Sequence, residues 1–405
     1  MFRWVIFVSI ILFIDFYAFQ GLKTLGKNKI WYLFYWLISI AILTNFVYQL
    51  STYDRSLGLS QPLMMSFALL VLSVVPKFIT LFVLLGEDVF RMFKVVGTYF
   101  SSSPSYLPER RVFISKMALG LAAIPFASII YGVIKGKYNY KVIQHTLFFD
   151  DLPTAFDGFT ITQISDIHSG SFDSPEKITY GIDLINEQQS DVILFTGDIV
   201  NNIAEEMDDY IPYFKKLKAK HGKYSVLGNH DYGEYVRWKS AEEKEINFQA
   251  IKDIHPKIGF NLLLNESVYL EKGTDKIALI GVENWGTRFK KAGDLKKASE
   301  GIKKEDFKIL MSHDPSHWEA EVKQHKNKYH LTLSGHTHGM QFGIEIPGFK
   351  WSPVQYIYKH WAGIYEEFGR VINVNRGFGF LAFPGRVGIW PEITVITLKN
   401  KKQTV

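Results

Sequence analysis

The first third of the chain limits its fold most strongly, because it contains four apolar segments that are each long enough to cross a lipid bilayer. A membrane-spanning helix needs about 20 mostly apolar residues. Such runs cover approximately residues 2–20, 31–50, 62–85 and 112–134. They lack the polar face that a helix on the surface of a soluble domain would have. We therefore predict a bundle of about four transmembrane helices within residues 1–141 rather than a soluble helical domain.

The distribution of Lys and Arg predicts how these helices are oriented, because cytoplasmic loops are enriched in both. The connections after the first and third apolar segments contain Lys23, Lys27, Lys29, Arg91, Lys94, Arg110, Arg111 and Lys116, whereas the opposite side contains Arg3, Arg55, Lys135, Lys137 and Lys141. The larger group marks the cytoplasmic side, so both chain termini are expected outside the cytoplasm.

Two arginines precede the fourth apolar segment in the stretch RRVFISK, from Arg110 to Lys116. This stretch resembles a twin-arginine export signal. The alternative is that both arginines are ordinary anchors on the cytoplasmic side of the membrane. No A-x-A cleavage site follows, so the fourth segment is expected to remain as an anchor.

Asp15 and Lys77 are ionisable residues inside the predicted membrane segments. Such residues usually face a partner, and the predicted topology places these two at similar depths, where they can pair. The alternative is that Lys77 snorkels beside Pro76 while Asp15 faces a polar bundle interior. We favour a structural role over transport.

From residue 142 onward, short β-branched runs alternate with amphipathic helical stretches, which predicts a layered α/β fold. The runs are FTITQIS, DVILFTG, KYSVLG, KIALIG, FKILMS, YHLTLSG and, near the end, EITVITL. Ser174 and Pro175 signal the start of one helix. Apolar residues from Met207 to Leu217 predict another.

Polar side chains follow five of these runs at the point where each run ends. They are Asp166 and His168, Asp198, Asn229 with His230 and Asp231, His313, and His336 with His338. In open α/β sheets, ligands bind outside the carboxyl ends of the strands. The sequence therefore predicts that these loops form one site.

The residue types at this site indicate a pair of metal ions. Asp, Asn and His without Cys suit manganese, iron or zinc, and the chain has no cysteine. The set is too large for one ion, so we expect two divalent cations that share a carboxylate. Such pairs stabilise the attacking and leaving oxygens in phosphoryl transfer and convert a bridging water to hydroxide near neutral pH.

The ordered blocks D-x-H, G-D, G-N-H-[DE], H and G-H-x-H resemble the calcineurin-like metallophosphoesterase superfamily over about residues 155–399. The resemblance implies a four-layer α/β/β/α sandwich for residues 142–405. It also implies the following roles: Asp166, His168 and His338 as ligands of one metal, Asn229, His313 and His336 as ligands of the other, Asp198 as the bridge, and His230 as the catalytic histidine beside the leaving oxygen. Asp231 is expected to orient His230 through its other ring nitrogen.

The C-terminal part resembles a membrane-anchored bacterial subgroup that carries a twin-arginine-like signal and an RGxG…PxR…PEI tail. The last run, PEITVITL, is then expected to complete the second sheet of the sandwich. Arg376 or Arg386 would contact a substrate phosphate, or would instead tie the tail to the core through a salt bridge.

Two further features have alternative interpretations. The aromatic-rich stretch from Met340 to Arg370 either forms a cleft wall or bilayer-facing surface for a lipid-linked substrate, or is a loop packed on the sandwich. Five further histidines lack motif positions and are expected to be surface or strand residues rather than ligands: His221, His255, His317, His325 and His330.

These features together predict a membrane-anchored two-metal phosphohydrolase of the bacterial cytoplasmic membrane, with its catalytic domain outside the cytoplasm. The expected substrate is a phosphate ester, with a phosphodiester favoured and a lipid-linked or envelope substrate attractive, and membrane lipid is an expected partner. No basic tract suggests nucleic acid. The alternatives are a metal-binding sensor or transporter accessory without turnover, and a phosphoprotein phosphatase.

Overall fold

The structure is a computed structural model that describes residues 2–26, 28–99 and 108–401, so Lys27 of the predicted cytoplasmic group lies outside the described residues. Contacts divide the chain into two compact units. The first comprises Met1–Tyr53 and Gln61–Ile134, and the second comprises Asp54–Ser60 and Lys135–Val405. The division therefore falls slightly ahead of the boundary predicted at residue 141.

The first unit consists of four long helices. They are α1 (Phe2–Leu25), α2 (Lys29–Ser51), α3 (Gln61–Tyr99) and α4 (Pro108–Ile134). Within the described residues, all four are long and apolar enough to span a membrane, as predicted. However, α3 continues well beyond residue 85, because the end of an apolar run does not end a helix when Glu, Arg and Lys, which are good helix formers, follow it.

Buried ionisable groups connect these helices. The predicted contact between Asp15 and Lys77 is confirmed: Lys77 Nζ lies 2.5 Å from Asp15 Oδ1, and it also donates to the hydroxyls of Ser39 and Ser73 at 2.7 Å. All three ammonium donors therefore have acceptors. This closed arrangement supports a structural role.

Arg111 of the RRVFISK stretch also forms ion pairs within the helical unit. Its Nη1 lies 2.6 Å from Glu87 Oε2 and 2.9 Å from Asp88 Oδ1. This arginine thus joins α4 to α3, and the twin-arginine interpretation of the stretch stays a prediction.

The second unit is a mixed α/β domain. Its strands are β1 (Lys141–Phe149), β2 (Thr160–Ile164), β3 (Val192–Phe195), β4 (Lys223–Ser225), β5 (Asn261–Leu262), β6 (Glu266–Lys272), β7 (Asp275–Gly281), β8 (Lys308–Met311), β9 (Leu331–Ser334), β10 (Ile344–Ile346), β11 (Phe349–Trp351), β12 (Gly363–Glu367), β13 (Arg370–Val374) and β14 (Glu392–Asn400). Its helices are α5 (Pro175–Glu187), α6 (Ile211–Phe214), α7 (Ala241–Lys257) and α8 (Leu295–Ala298).

These strands form two six-stranded sheets and a hairpin. The first sheet has the order β1-β14-β2-β3-β4-β5, the second has the order β12-β13-β9-β8-β7-β6, and β10 pairs with β11. Strands β2, β3 and β4 are parallel, as are β7, β8 and β9. The carboxyl ends of the strands in each run therefore meet at one edge of their sheet.

Burial on both faces of each sheet confirms the predicted four-layer sandwich. Along β3, Val192 and Leu194 belong to the apolar cluster between the sheets, whereas Ile193 and Phe195 belong to the cluster under α5, α6 and α7. This alternation follows from the two-residue period of a strand. A further cluster covers the outer face of the second sheet and includes Leu295 of α8.

Two local predictions are wrong. The helix predicted from Met207 to Leu217 is a 3-10 turn followed by the short α6, because Pro212 has no N–H with which to continue a helical hydrogen-bond series. The last strand, β14, lies in the first sheet beside β2 rather than in the second sheet. The reason is that the loop before β14 binds the loop after β2, where Phe378 N donates to Ser165 O at 2.7 Å.

Candidate metal centre

The site is built where the loops that follow five strands meet. The loops after β2, β3 and β4 contribute Asp166, His168, Asp198 and Asn229 from the first sheet, and the loops after β8 and β9 contribute His313, His336 and His338 from the second. All seven predicted ligand residues therefore lie at the same end of the sandwich.

Two groups of side chains form there, and each draws on both sheets. Asp166, His168 and His338 form one group, in which the Nε2 atoms of His168 and His338 are 3.0 Å apart and His338 Nε2 lies 3.2 Å from Asp166 Oδ1. Asp198, His313 and His336 form the other. Donor atoms that converge in this way suit a cation in each group.

Asp198 lies between the two groups. Its Oδ2 atom is 3.1 Å from His313 Nε2 and 3.6 Å from His168 Nε2, while its Oδ1 atom accepts a hydrogen bond from the backbone N–H of His230 at 2.8 Å. One carboxylate oxygen thus faces imidazoles of both groups, as a bridging ligand would.

Asn229 joins the second group through His336. Its Oδ1 atom lies 2.7 Å from His336 Nδ1, so the two atoms that can bind a metal face the same point. Tyr235 OH accepts a hydrogen bond from Asn229 Nδ2 at 2.7 Å, which fixes the amide orientation, and Tyr358 OH lies 2.8 Å from His336 Nε2. Tyr235 was not predicted, because no motif spacing marks it, whereas Tyr358 belongs to the aromatic-rich stretch that one interpretation placed at the cleft.

The backbone is strained at this site. The φ angles are 52° at Asp166, 50° at His168, 61° at Asp198, 70° at His336 and 50° at His338. Positive φ is uncommon for residues other than glycine and costs free energy that the surrounding structure must offset. Its concentration at five of the predicted ligands indicates that the loops are shaped to direct these side chains inward.

Two glycines of the motifs are required by close approach. A Cβ atom at Gly228 would lie 2.2 Å from Asp198 Oδ1, and one at Gly335 would lie 1.9 Å from Ser165 Oγ and 2.3 Å from Asp166 Oδ2. Any side chain at either position would displace a candidate ligand.

The electrostatics and tautomers of the site also fit bound cations. Burial alone would lower the pKa of His313, but the carboxylates of Asp198 and Asp166 raise it to about 10. His313 Nδ1 lies 2.7 Å from the carbonyl of Thr196, to which it donates as N–H, so Nε2 is the ring nitrogen that faces Asp198, at 3.1 Å from its Oδ2 atom. That buried Nε2 atom makes no hydrogen bond. The negative potential and the open nitrogen suit a divalent metal ion.

His230 is placed as predicted beside the two groups, but its orienting partner is different. Its Nδ1 atom lies 2.7 Å from the carbonyl oxygen of Asn201, and its ring centroid is 4.9 Å from that of His168. The predicted contact with Asp231 is wrong. The Asp231 carboxylate instead accepts hydrogen bonds from the backbone N–H groups of Asp198, Ile199 and Gly228 at 2.8–2.9 Å, and so holds the loops after β3 and β4 together.

The two tail arginines are structural, so the alternative of a phosphate contact is wrong. Arg386 is fully buried, and it donates to the backbone carbonyls of Gly379, Arg376, His338 and Gly377. Arg376 is 5% exposed and forms salt bridges with Glu392 and Glu345. The salt-bridge alternative is therefore confirmed for Arg376, and Arg386 packs the tail against the loop that contains His338.

Three histidines expected at the surface or in strands are instead buried and neutral. His255, His317 and His330 are at most 3% exposed. Burial lowers the pKa of His255 and of His317 to about 3 and that of His330 to about 4. Each stacks on an aromatic ring, which accounts for its burial without a metal.

A third group of possible ligands lies outside the motifs and comprises Glu319, His360 and Glu367. Lysines already compensate its carboxylates: Lys323 Nζ lies 2.7 Å from Glu319 Oε2, and Lys359 Nζ lies 2.6 Å from Glu367 Oε1. This group is therefore an ion-pair network. Glu319 and His360 also line a pocket of about 350 Å³ that is shared with Arg288 and Tyr358.

The aromatic-rich stretch is packed on the domain in one part and exposed in another, and its role as a cleft wall or bilayer-facing surface stays a prediction. Trp361 is buried with Val354 and Ile389, as a packed loop requires. In contrast, Phe349 is 51% exposed and Tyr356 is 77% exposed.

A double-sheet α/β domain with two neighbouring, buried Asp–His groups is typical of metal-dependent hydrolases. Comparisons with known proteins give the family. The family model for calcineurin-like phosphoesterases matches residues 159–340, and a model described as a probable calcineurin-like phosphoesterase transmembrane domain matches residues 2–137. The chain belongs to the calcineurin-like phosphoesterase family. Membership implies a phosphoester hydrolase that uses divalent metals, and the four helices make this one a membrane protein.

Its relatives include bacterial and vertebrate proteins. The uncharacterized metallophosphoesterase YkuE of Bacillus subtilis is 32% identical over 303 residues, covering 72% of this chain and 98% of YkuE. A transmembrane protein with metallophosphoesterase domain from Danio rerio is 26% identical, covering 67% of this chain and 60% of that protein. The uncharacterized metallophosphoesterase YkoQ of Bacillus subtilis is 27% identical, covering 68% of this chain and 97% of YkoQ.

Proposed function

We propose that this chain is a membrane-anchored phosphohydrolase that uses two divalent cations, with residues 142–405 as its catalytic domain. The first cation would be held by Asp166, His168 and His338, the second by Asn229, His313 and His336, and both by Asp198. The observation that supports this most directly is the position of Asp198 Oδ2, which is 3.1 Å from His313 Nε2 and 3.6 Å from His168 Nε2.

Manganese, iron or zinc at these positions would compensate the charge of the phosphoryl oxygens and lower the pKa of an attacking water. We propose that His230 passes a proton to the leaving group. Its Nδ1–H donates to the carbonyl of Asn201, so the neutral ring has its lone pair on Nε2, and Nε2 must take up a proton from water before it donates that proton to the leaving oxygen. In this proposal, Asp231 holds the loops that contain Asp198 and His230 together through backbone hydrogen bonds and does not act on the substrate.

The proposed substrate is a phosphodiester, and a lipid-linked or envelope molecule suits an enzyme built on four membrane helices. Arg288, at the pocket beside Tyr358, adds a positive charge next to the centre for an anionic substrate. The full-length protein in detergent, stripped with a chelator and reloaded with Mn²⁺, should hydrolyse a chromogenic phosphodiester faster than the matching monoester and faster than a phosphoserine peptide. It should not cleave nucleic acid.

The alternatives give different results in the same assay. Binding of divalent metal without hydrolysis of any ester would identify a sensor or transporter accessory. Fastest hydrolysis of the phosphoserine peptide would identify a phosphoprotein phosphatase. The variant His230→Asn serves as a control, because it should retain the metals and lose about 10²-fold or more in turnover.

We propose that the catalytic domain lies outside the cytoplasm of a bacterial cell. The basis is the larger number of Lys and Arg residues around two junctions: the end of α1 with the start of α2, and the end of α3 with the start of α4. A C-terminal reporter enzyme that is active only outside the cytoplasm should be active in cells. If a reporter that is active only in the cytoplasm is active at the same position, the catalytic domain lies inside the cytoplasm and the proposed orientation is wrong.

A further inference from the structure

The hairpin formed by β10 and β11 has an inverted pattern of polar and apolar residues. Ile344 pairs with Trp351 and Ile346 pairs with Phe349, so these four side chains share one face of the hairpin. We name this the apolar hairpin face. Ile344, Ile346 and Phe349 are 49%, 58% and 51% exposed.

The polar residues of the hairpin lie on the opposite face, toward the domain. Glu345 accepts from Arg376 Nη2 at 2.6 Å, and Lys350 Nζ donates to the carbonyl of Ala362 at 2.5 Å and lies 5.0 Å from the centre of the Trp361 ring. A strand pair on a water-exposed surface normally has the reverse arrangement, with apolar residues inward. The ion pair and hydrogen bond hold the apolar residues outward.

A lipid bilayer is the apolar phase that this protein always has nearby. The second unit begins at Lys135, directly after α4, a helix long and apolar enough to span a membrane. Trp351 of the apolar hairpin face donates through Nε1 to the hydroxyl of the exposed Tyr356 at 3.5 Å. Trp and Tyr are the residues enriched at membrane–water interfaces.

The same segment leads to the metal centre. Tyr358 follows Tyr356 by two residues, and its hydroxyl lies 2.8 Å from His336 Nε2. Ile357, Tyr358 and Lys359 line the pocket that also contains Arg288. The exposed Arg288 at this pocket favours an anionic lipid surface.

We propose that the apolar hairpin face, formed by Ile344, Ile346, Phe349 and Trp351, inserts into the lipid bilayer interface and holds the mouth of the metal centre at the level of the lipid headgroups. The proposal is independent of which ester the centre hydrolyses. It implies that substrates enter from the membrane surface.

The absence of cysteine from the chain allows a direct test. Phe349→Cys in the full-length protein is labelled with an environment-sensitive fluorophore and reconstituted into vesicles of phosphatidylethanolamine and phosphatidylglycerol. Glu300→Cys, at an exposed polar position after α8, is the matched control. Lipids with a doxyl group on the acyl chain should quench the Phe349→Cys label about twofold more than the control label, and aqueous iodide should quench it less.

Equal quenching of both labels by iodide would overturn the proposal. Shielding from iodide without quenching by doxyl lipid would also overturn it, because a protein partner or a second copy would then cover the face. Ile346→Cys provides a second labelling site if the first variant folds poorly.

Activity gives an independent readout that depends on the proposed function. Ile346→Asp should lower turnover of a phosphodiester embedded in vesicles about tenfold and leave turnover of a water-soluble phosphodiester unchanged. Equal loss on both substrates would contradict membrane insertion. Absence of turnover in the wild-type protein would contradict the proposed function. The quenching experiment would then still decide whether the apolar hairpin face inserts into the bilayer.

Discussion

The two units bury ionisable groups in opposite ways. In the helical unit, Lys77 contacts Asp15, Ser39 and Ser73, so every donor of the ammonium group has an acceptor. In the α/β unit, the carboxylates of Asp166 and Asp198 converge with four imidazoles, and His313 Nε2 has no hydrogen-bond partner. In the helical unit the buried charges compensate each other. In the α/β unit the possible metal-binding atoms of several side chains converge, as they would around a bound cation.

This difference explains why similar residue types have different roles. A buried pair that satisfies itself contributes to folding specificity, and it costs stability mainly when one partner is removed. A buried group of like ligands stays assembled only if strained backbone and hydrogen bonds hold it, which the positive φ angles and the contacts of Asp231 provide. We infer that the first is structural and that the second binds cations.

The largest expected effect comes from removing the ligand that we propose both cations share. Asp198→Asn should lower turnover by at least about 10²–10³-fold, because it would remove a charge that both proposed cations need. The metal content of the purified protein, measured by elemental analysis, should fall in parallel. Full metal content and turnover in this variant would remove the basis for a shared site.

The matched change in the helical unit should affect stability instead. Asp15→Asn leaves Lys77 as an uncompensated buried charge, so the free energy of unfolding of the helices should fall by about 3 kcal/mol. Thermal melting in nanodiscs measures this change, and turnover per folded molecule should stay at the wild-type value. The double variant Asp15→Asn/Lys77→Met should recover part of the loss, since it buries no charge.

Lost turnover in Asp15→Asn with unchanged melting would contradict the structural role. It would indicate that the pair takes part in proton or ion movement.

A third way to bury a titratable group is to keep it neutral, as His255 shows. Burial lowers its pKa to about 3 in the folded state, below the unfolded value of about 6.5. The unfolded state therefore binds a proton first as the pH falls, and stability decreases from about pH 6.5 downward. The expected loss from this residue is about 2 kcal/mol between pH 7 and pH 5.

The variant His255→Leu tests this assignment. Melting of the full-length protein in detergent at pH 7 and pH 5 should show a smaller decrease for the variant than for the wild type. Equal decreases would show that His255 is protonated or solvated in the folded protein.

The elements that were predictable from sequence share a local signal. The apolar runs identified all four helices, and the blocks after β2, β3, β4, β8 and β9 identified the residues that meet at the sheet edge, because strand ends and motif spacing are local properties. The end of α3 was not predictable, since the residues after 85 change in polarity but not in helix propensity.

The side-chain partners were less predictable, because they depend on contacts between distant parts of the chain. His230 is oriented by the carbonyl of Asn201, a backbone group that has no sequence signature. Arg386 forms hydrogen bonds to backbone carbonyls and to the ring of His338, and these partners have no sequence signature. Its residue type alone therefore suggested a phosphate ligand. Tyr235 was not predictable for the same reason: its partner Asn229 was a predicted ligand, but nothing in the sequence links the two residues.

The smallest expected effect concerns how Tyr235 positions Asn229. In Tyr235→Phe the amide of Asn229 loses its acceptor at 2.7 Å and is free to rotate, so affinity for the second cation should fall about tenfold. Excess Mn²⁺ should restore turnover, which would not happen if the hydroxyl acted on the substrate. Tyr269→Phe is the control, because it removes a hydrogen bond to Asp306 of 2.6 Å outside the site and should leave metal affinity unchanged. Unchanged metal affinity in Tyr235→Phe would show that the strained loops alone orient Asn229. The α/β unit would then differ from the helical unit through the shape of its backbone and not through hydrogen bonds to the ligand side chains.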